Sequence, residues 1–552
     1  MTEKLSSVEE IKVRSKGLRG TIKESLQDSH TGAIREDDQA LIKFHGMYLQ
    51  DDRDRREERA KKKLDKLYSF MIRLRIPGGV IDADKWLAIH RTSEAYGTGT
   101  IKVTTRQTVQ LHGLLKHQIQ PTIQSFNRAD LDSIATCGDI NRNVMASNHP
   151  QVSPLHSEIH SYAEKISKLL LPKTQAYYEI FIDGEKIYDR SAEVDPLYED
   201  RYLPRKFKIA IAIPPSNDVD VFANDIGLIA IIEKGKFKGF NISAGGGLSS
   251  THGNPDTYPR LGTVIGFCGL DQDPLKVVYE ILTVQRDFGN RSDRKRARLK
   301  YTIDKMTVDG FKKELEQRIG FRLKPAKPFQ FSERGDRYGW EKNHEGLWYY
   351  TLFVEHGVEN PSLKQFLKKV AEAKVSNFIF TGNQNIILGE VSQKNKSVIN
   401  KLEAECGINQ NVSALRKSSM ACVAFPTCPL ALAEAQRYLP ALVTKIEPLL
   451  DKHGLKKEEI SIRMTGCPNN CGRSYLSEIG FIGVSPGHYN LMLGGDRYGE
   501  RIARVYKEKL AENDILETLD GVFGQYVTNR KEGEYFGAYI DRDWAKLKHY
   551  GE

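Results

Sequence analysis

The stretches ACVAFPTCP (Ala421–Pro429) and TGCPNNCG (Thr465–Gly472) decide the fold of this 552-residue chain. They contain four clustered cysteines: Cys422, Cys428, Cys467 and Cys471. Zinc modules usually space paired ligands by two residues, because a tight knuckle folds around one ion. A cubane iron–sulfur cluster is larger and takes one thiolate at each of four positions, so the C-x5-C and C-x3-C gaps favour it. Zinc and unligated buried thiols remain open interpretations.

The composition predicts a globular protein of several domains. The chain is too long for one hydrophobic core, and its apolar fraction of 39% is ordinary. Its net charge of +10 suits an anionic ligand, an acidic partner or nucleic acid, and does not choose among them. The other cysteines are scattered, which argues against a disulfide scaffold and favours buried thiols. They are Cys137, Cys268 and Cys406.

The N-terminus contains no apolar segment typical of a signal peptide. No apolar run approaches the ~20 residues of a membrane span. We therefore expect a cytoplasmic protein that does not interact with a membrane.

The sequence repeats itself at a distance of about 277 residues. The segments that begin at Phe70 and Trp348 both have the pattern strand, turn, amphipathic helix, strand. Gly79 corresponds to Gly357, and Gln107 to Gln384. This pattern predicts a duplicated α/β unit and a pseudo-twofold arrangement, with chance similarity as the alternative.

Only the first copy has a basic strand surface. Side chains alternate along a strand, so Arg73 and Arg75 share one face. In the later strand, the residues at alternate positions are polar or basic. The corresponding stretch of the second copy, FIFTGNQNIIL, contains no basic residue. A solvent-facing sheet would also be polar, but the density of basic residues favours an anion site. These polar and basic residues are Lys102, Thr104, Arg106, Thr108, Gln110 and His112.

A second basic face lies in the segment YLPRKFKIAIAIPP, which is predicted to form a strand after Pro204. Lys206 and Lys208 lie on the same face of this strand as two alanines, which leaves room for a bulky ligand. An edge strand protected by lysines is the alternative. Similarly, the basic stretch QRDFGNRSDRKRARLKY fits either an anion site or a solvated helix.

The cysteine motifs and much of the chain resemble the siroheme-dependent nitrite/sulfite reductase family. Besides the two cysteine stretches, the resemblance rests on FHGMYLQDDRD, RLRIPGGVI, TTRQTVQLHG, INRNV, YLPRKFK, GGGLSSTHGN and QRDFGNRSDRK. It implies a [4Fe–4S] cluster held by the four clustered cysteines, with Cys471 shared with the iron of siroheme. The eight carboxylates of siroheme would explain the basic faces.

The resemblance also implies individual roles. The residues that match the substrate and proton-delivery positions are Arg73, Arg142, Lys206 and Lys208. The residues that match siroheme contacts are Thr104, Arg106, Thr108, Gln110, His112, Arg205 and Cys471. Lys102 stands where family members have arginine, which keeps the charge but loses a bidentate contact with a carboxylate.

The implied activity is the six-electron reduction of sulfite to sulfide. No G-x-G-x-x-G motif follows a predicted strand, so the reducing power must come from another protein. The resemblance implies a flavoprotein subunit that carries FAD and FMN and takes electrons from NADPH. A siroheme nitrite reductase and a ferredoxin-dependent sulfite reductase are the alternatives. A zinc-containing nucleic-acid-binding protein is a remote one, because the basic residues are dispersed and no nucleic-acid-binding motif is evident.

The expected fold is α+β, with two pseudo-repeated ferredoxin-like half-domains and a siroheme/[4Fe–4S] core. An N-terminal arm (1–65) is the candidate docking element for the flavoprotein. The half-domains are predicted at 66–140 and 335–400. A siroheme and substrate domain is expected at 141–334, and a cluster domain at 401–552.

Overall fold

The computed structural model describes residues 4–148, 153–173, 179–182, 185–189 and 194–549. Parts of the predicted domains 1–65, 141–334 and 401–552 therefore lie outside the described residues. The helices, in chain order, are α1 Ser7–Arg14, α2 Ile22–Gln27, α3 Glu36–Leu41, α4 Arg56–Lys61, α5 Ala83–Tyr96, α6 Ile119–Asn127, α7 Pro154–Leu169, α8 Pro274–Phe288, α9 Leu299–Met306, α10 Val308–Ile319, α11 Pro361–Glu372, α12 Gln393–Cys406, α13 Ala414–Lys417, α14 Leu439–Lys452, α15 Glu512–Asn529, α16 Phe536–Arg542 and α17 Trp544–His549.

The strands form four larger sheets and one hairpin. In chain order they are β1 Met47–Asp51, β2 Tyr68–Arg73, β3 Val80–Ile81, β4 Ile101–Val103, β5 Val109–Leu114, β6 Met145–Ala146, β7 Glu179–Ile182, β8 Glu185–Asp189, β9 Ile209–Ala212, β10 Ile226–Glu233, β11 Lys236–Ala244, β12 Thr263–Gly269, β13 Gly339–Lys342, β14 Trp348–Leu352, β15 Asn377–Phe380, β16 Ile386–Val391, β17 Ser419–Ala421, β18 Ile462–Thr465, β19 Ile479–Ser485, β20 His488–Leu493 and β21 Arg504–Leu510.

The predicted duplication is confirmed by two antiparallel sheets that exchange strands. The first has the order β1-β2-β5-β4 and the second β13-β14-β16-β15-β3, so β3 from the first copy belongs to the second sheet. In return, Val358 bridges Lys102 of the first sheet. The copies also share one apolar core, in which Trp86 stacks on Phe378 with ring centroids 4.8 Å apart.

A matched pair of glycines makes this exchange possible. Gly79 and Gly357 have φ values of 77° and 76°, in the region that favours glycine. A Cβ on Gly79 would lie 2.7 Å from the carbonyl oxygen of Phe380, and one on Gly357 would lie 2.2 Å from that of Val103. Each copy therefore packs its glycine turn against a strand of the other copy.

The two five-stranded sheets form a second duplication, which the sequence did not reveal. Their orders are β12-β11-β10-β9-β6 and β17-β18-β19-β20-β21. In each, three strands are parallel and the next two are antiparallel. The pair Ala210–Gly227 in one sheet matches Arg463–Gly480 in the other. This correspondence makes Asp220 equivalent to Arg473.

Much of the predicted N-terminal arm packs against the body of the protein. Ile11 and Phe44 lie in the apolar core of the first five-stranded sheet, and β1 is a strand of the first half-domain sheet. The predicted boundary between residues 65 and 66 thus falls inside that sheet. Among the described residues up to 67, the segment 54–67 is the one long stretch that is largely exposed.

The described parts of the chain include no helix that is both long and apolar enough to cross a membrane.

Candidate active site

The two cysteine loops meet at one edge of the last sheet. Strands β17 and β18 are parallel neighbours, so the loops after them start side by side. Cys422 follows β17 directly, and its amide donates to the carbonyl of Met464 at 3.2 Å. The carbonyl of Gly466 accepts from the amides of Leu432 and Ala433, which fixes the second loop against the first.

The four clustered cysteines have the donor chemistry that a [4Fe–4S] cluster requires. In the described residues, no three His, Cys, Asp or Glu side chains converge on a point that would hold a single metal ion. A cubane takes four thiolates and separates them more widely than a single zinc ion does. The backbone amide of Gly466 donates to the Cys422 sulfur at 3.3 Å, and the Asn469 amide group donates to the Cys467 sulfur at 3.6 Å.

The surroundings of Cys422, Cys428 and Cys467 raise the pKa values of their thiols. Burial raises the pKa of Cys422 to about 12 and that of Cys467 to about 11, and the neighbouring Cys471 adds to both shifts. Burial also raises the pKa of Cys428. Binding of iron must displace these protons, so assembly of a cluster releases them.

Cys471 opens into a cavity with cationic walls. The cationic cavity is lined by Thr105, Arg106, Lys206, Lys208, Ala223, Asn224, Leu248, Ser249, Arg298, Asn469, Asn470, Cys471 and Arg473. Unlike buried Cys467, Cys471 is exposed to this space. The arrangement places one thiol of the cysteine group beside positive charges contributed by other domains.

Four buried cations in or next to this cavity form the cationic cluster, and none of them forms an ion pair with a described carboxylate. Its members are Arg106, Arg205, Lys206 and Lys208. Three of them line the cavity, and Arg205 precedes Lys206 in the chain. Among the described residues, no Asp or Glu lies within ion-pair distance of any of them. Burial and then the adjacent Arg205 lower the pKa of Lys206 to about 7, and burial with Lys206 lowers the pKa of Lys208 well below its usual value.

Uncompensated cations inside a protein are unfavourable unless an anion joins them. A polyanion with several carboxylates would both neutralise the cationic cluster and reach Cys471. The residues present therefore fit siroheme at the cationic cavity and a [4Fe–4S] cluster at the cysteine loops.

A hydrogen-bonded chain crosses the polar face of the first half-domain sheet. His112 Nδ1 lies 3.0 Å from Gln50 Oε1, and His112 Nε2 lies 2.9 Å from Gln110 Nε2. Gln110 Oε1 in turn accepts from Arg73 at 2.9 Å, and Arg73 also contacts Cys137 at 3.4 Å. An imidazole protonated on Nδ1 satisfies both contacts of His112, which fixes its tautomer. The chain orients Arg73.

The threonines predicted as siroheme contacts stabilise the adjacent turn. Thr104 Oγ1 accepts from the amide of Arg106 at 3.2 Å, and Thr108 donates to the carbonyl of Leu74. Both side chains are buried. Their predicted contact with siroheme remains a prediction.

Arg142 is anchored by its own loop. Its guanidinium donates to the carbonyls of Gly138 and Thr136, at 2.7 Å and 3.1 Å for the shortest contacts. The amide of Arg142 donates to the carbonyl of Phe207, between Lys206 and Lys208. The loop of Arg142 and the segment of the two lysines are therefore adjacent.

Lys102 lies at the junction of three parts of the chain. Its ammonium donates to the carbonyl of His356 at 2.7 Å and to the side chain of Gln436. Burial lowers its pKa to about 7, while the nearby Cys422 opposes that shift. In this structure Lys102 joins the two half-domains to the cysteine domain.

Sequence reasoning missed two arginines that line the cationic cavity. Arg298 lies in the basic stretch that fitted two interpretations, and it forms a buried ion pair with Asp225 at 2.7 Å. Arg473, directly after TGCPNNCG, lies 2.9 Å from Asp220. The basic residues around Arg298 could have indicated that it belongs to an anion site. Arg473 had no such signal, because its partner Asp220 lies far away in the sequence.

Comparisons with known proteins match this arrangement. The family described as "Nitrite/Sulfite reductase ferredoxin-like half domain" matches residues 62–129, and "Nitrite and sulphite reductase 4Fe-4S domain" matches residues 161–323. A "Sulfite reductase [NADPH] hemoprotein beta-component" of Leptospira biflexa serovar Patoc is 57% identical over 98% of this chain and 99% of the relative. This chain belongs to the nitrite and sulfite reductase family.

Other relatives and one solved structure agree with that assignment. Proteins with the same name from Shouchella clausii and Bacillus subtilis are 50% and 49% identical, each over 97% of this chain and 95% of the relative. The structure of Mycobacterium tuberculosis NirA protein has a TM-score of 0.79 and covers 98% of this chain and 97% of its own. At 23% identity, it supports the fold alone.

The family match also reveals a difference between the two duplicated domains. The 4Fe-4S domain match at 161–323 covers strands β9 to β12 of the first five-stranded sheet, whereas the four clustered cysteines lie on the second, at 422–471. Because the two sheets share one topology, the fold of this family domain occurs twice in the chain. Among the described residues, only the later copy brings cysteines together at the strand ends.

Proposed function

We propose that this protein is the hemoprotein component of an NADPH-dependent sulfite reductase and reduces sulfite to sulfide. The observation that carries this proposal is the cationic cluster, which forms no ion pair with a described carboxylate and faces Cys471 of a four-cysteine group. The names of the relatives support the same activity. In acid–base terms, bisulfite, six electrons and six protons give hydrosulfide and three waters.

Siroheme joined to a [4Fe–4S] cluster supplies single-electron reduction of a sulfur oxyanion at the siroheme iron. Cys422, Cys428, Cys467 and Cys471 would hold the cluster, and Cys471 would also reach siroheme because it faces the cationic cavity. Arg106 and Arg205 would pair with siroheme carboxylates, together with Gln110 and His112.

The remaining cations bind the substrate and supply protons. Arg73 and Arg142 would neutralise the oxyanion, because guanidinium groups bind oxyanions through fixed pairs of N–H donors. Lys206 and Lys208 would donate protons, since burial has lowered their pKa values, whereas arginine releases protons poorly. These four side chains thus divide anion binding and proton transfer between two residue types.

Electrons would come from NADPH through a flavoprotein subunit that carries FAD and FMN. The exposed part of the N-terminal region, residues 54–67, is the candidate docking surface. It adjoins the cysteine domain, because Arg53 donates to the carbonyls of Cys428 and Ala431 at 3.2 Å and 2.7 Å. The described residues of this chain offer no recognised nucleotide-binding motif of their own for NADPH.

Purified holoprotein tests the proposal directly. It should contain iron, acid-labile sulfide and a tetrapyrrole absorption band that changes when sulfite is added. With reduced methyl viologen it should form sulfide from sulfite, and nitrite measured in parallel gives the substrate preference. A colourless protein with zinc and no iron, or a holoprotein that consumes no sulfite, would refute the proposal.

A further inference from the structure

A buried lysine of the N-terminal helix α1 lies at the edge of the anion site. Lys12 is fully buried, although lysine rarely is. Its ammonium donates to the carbonyl of Leu203 at 2.9 Å and lies 3.6 Å from the carboxylate of Asp139. It also pairs with Glu9 on its own helix. None of the predicted roles involves this residue.

The two partners of Lys12 belong to the two segments that carry the anion-binding cations. Asp139 lies three residues before Arg142 and is part of the same loop. Leu203 lies two residues before Arg205 and three before Lys206. One ammonium therefore connects the loop of Arg142 to the segment of the cationic cluster.

Backbone hydrogen bonds join the same two segments further along. The amide of Leu203 donates to the carbonyl of Asp139 at 3.0 Å, and that of Phe207 donates to the carbonyl of Ile140 at 3.1 Å. These hydrogen bonds form a seam between the two segments, and the buried Lys12 lies at its Asp139–Leu203 end. Because a cation on one segment moves with its backbone, the seam determines the spacing of Arg142 from Arg205 and Lys206.

The charges around Lys12 remain paired when it is removed. Arg294 binds Asp139 through two contacts of 2.6 Å and 2.9 Å, and Arg291 binds Glu9 at 2.6 Å. Two buried carboxylates thus share three cations. A neutral side chain at position 12 would leave each carboxylate with an arginine, so the fold should survive while the connection to Leu203 is lost.

We propose that Lys12 is a positioning residue for the oxyanion site. Lys12 holds the Arg142 loop and the Arg205–Lys206 segment at the spacing that substrate binding requires. This inference rests on the proposed function, because it concerns the same site. Helix α1 thus supports the binding site through Lys12, without touching substrate or cofactor.

The test compares Lys12→Met, Lys12→Gln, Lys12→Arg and the exposed helix control Lys23→Met as holoenzymes. The sulfite dissociation constant comes from the visible spectrum of the oxidised protein, and KM and kcat come from turnover with reduced methyl viologen. Lys12→Met should raise both the dissociation constant and KM about tenfold, since small misplacements of binding groups are costly. Its kcat and its iron and siroheme contents should match wild type.

Lys12→Arg should restore most of the sulfite affinity, and Lys23→Met should behave as wild type. An unchanged sulfite dissociation constant in a well-folded Lys12→Met would overturn the inference and leave the proposed function intact. If neither Lys12→Met nor Lys12→Gln yields holoenzyme while Lys12→Arg does, lysine 12 serves folding, and the inference is also wrong. A wild-type protein that neither binds nor reduces sulfite would instead reject the proposed function.

Discussion

Arg473 and Asp220 occupy equivalent positions in the two duplicated five-stranded domains, and they are ion-paired with each other. Arg473 Nε lies 2.9 Å from Asp220 Oδ2. Both residues have left-handed backbone conformations and immediately precede short 3-10 turns, Ser474–Leu476 and Val221–Ala223. Equivalent positions of the two duplicated domains thus meet as opposite charges, beside Cys471.

Asp220 compensates more than one cation, so its removal should be costly. Arg334 and Arg463 also pair with it, at 2.6 Å and 2.7 Å, and all four side chains are buried. Asp220→Asn should destabilise the protein by about 3–5 kcal/mol, because it leaves three buried guanidinium groups with a neutral partner. Thermal unfolding of the holoprotein measures this effect. Asp37→Asn, which removes an exposed ion pair with Arg14, should shift the midpoint little.

Replacement of any one of the four clustered cysteines should abolish the cluster. Cys471→Ser should remove siroheme as well, because Cys471 is the one of the four that faces the cationic cavity. Iron, acid-labile sulfide and the visible spectrum measure both losses. Cys406→Ser provides the control, since that half-buried thiol lies on α12, away from the cysteine loops. Normal cofactor content in Cys471→Ser would contradict the assignment.

Lys206→Met and Lys208→Met should retain cofactors and lose sulfide production. Each removes a proton donor from the cationic cluster, and general acid catalysis typically contributes about 10²–10⁴-fold to a rate. Sulfide formed with reduced methyl viologen measures the loss, and the absorption spectrum reports siroheme content. Lys236→Met, at the exposed start of β11, should leave the rate unchanged. Full sulfide output from both cavity variants would exclude the two lysines as donors.

Glu359 should make the protein less stable as pH rises. It is buried, its Oε2 has no hydrogen-bond partner among the described residues, and burial raises its pKa to about 7 from a usual 4.5. The folded state therefore favours the protonated acid. The contribution of Glu359 to folding stability is therefore greatest below pH 4.5 and is lost as pH rises from 4.5 through 7.

Glu359→Gln mimics the protonated acid and should abolish this dependence. The variant should equal wild type near pH ~4, below the unfolded-state pKa, and exceed it at pH ~8 by on the order of 1–3 kcal/mol. Unfolding midpoints at the two pH values provide the measurement. Glu405→Gln, in an exposed pair with Lys369, should show no such divergence. Parallel curves for wild type and Glu359→Gln would show that the carboxyl group is ionised in the folded state throughout this range.

The proposed docking of the flavoprotein at residues 54–67 is best tested by substitutions, because a deletion would disrupt the fold. Removal of residues 1–60 would delete β1 and the buried side chains of Lys12 and Phe44, so the fold would fail. Reversal of charge at the exposed residues Lys61, Lys62 and Lys63 should lower NADPH-driven turnover and spare turnover with methyl viologen. The control is charge reversal at the exposed pair Lys456 and Lys457. Equal NADPH-driven rates in both variants would place the docking surface elsewhere.

Local patterns in the sequence determined the cysteine quartet and the first duplication. The gaps between Cys422 and Cys428, and between Cys467 and Cys471, lie within single loops, so spacing alone favoured a cubane. The pairs Gly79–Gly357 and Gln107–Gln384 marked the half-domain repeat because a left-handed turn restricts which residues are tolerated. Alternation predicted a polar face on one strand that contains Lys102 and His112. The structure instead has two paired strands, β4 and β5, joined by a turn, with Lys102 opposite Gln110.

The tertiary structure decided everything that depends on contacts between distant segments. The second duplication has little sequence similarity to reveal it, because matching strands can pack different side chains on one topology. The pairing of Asp220 with Arg473, and the position of Lys12 between Asp139 and Leu203, join residues far apart in the chain. Whether a buried cation has a counterion depends on three-dimensional neighbours. For that reason the lack of a carboxylate ion pair with Lys206 or Lys208 was visible only in the folded protein.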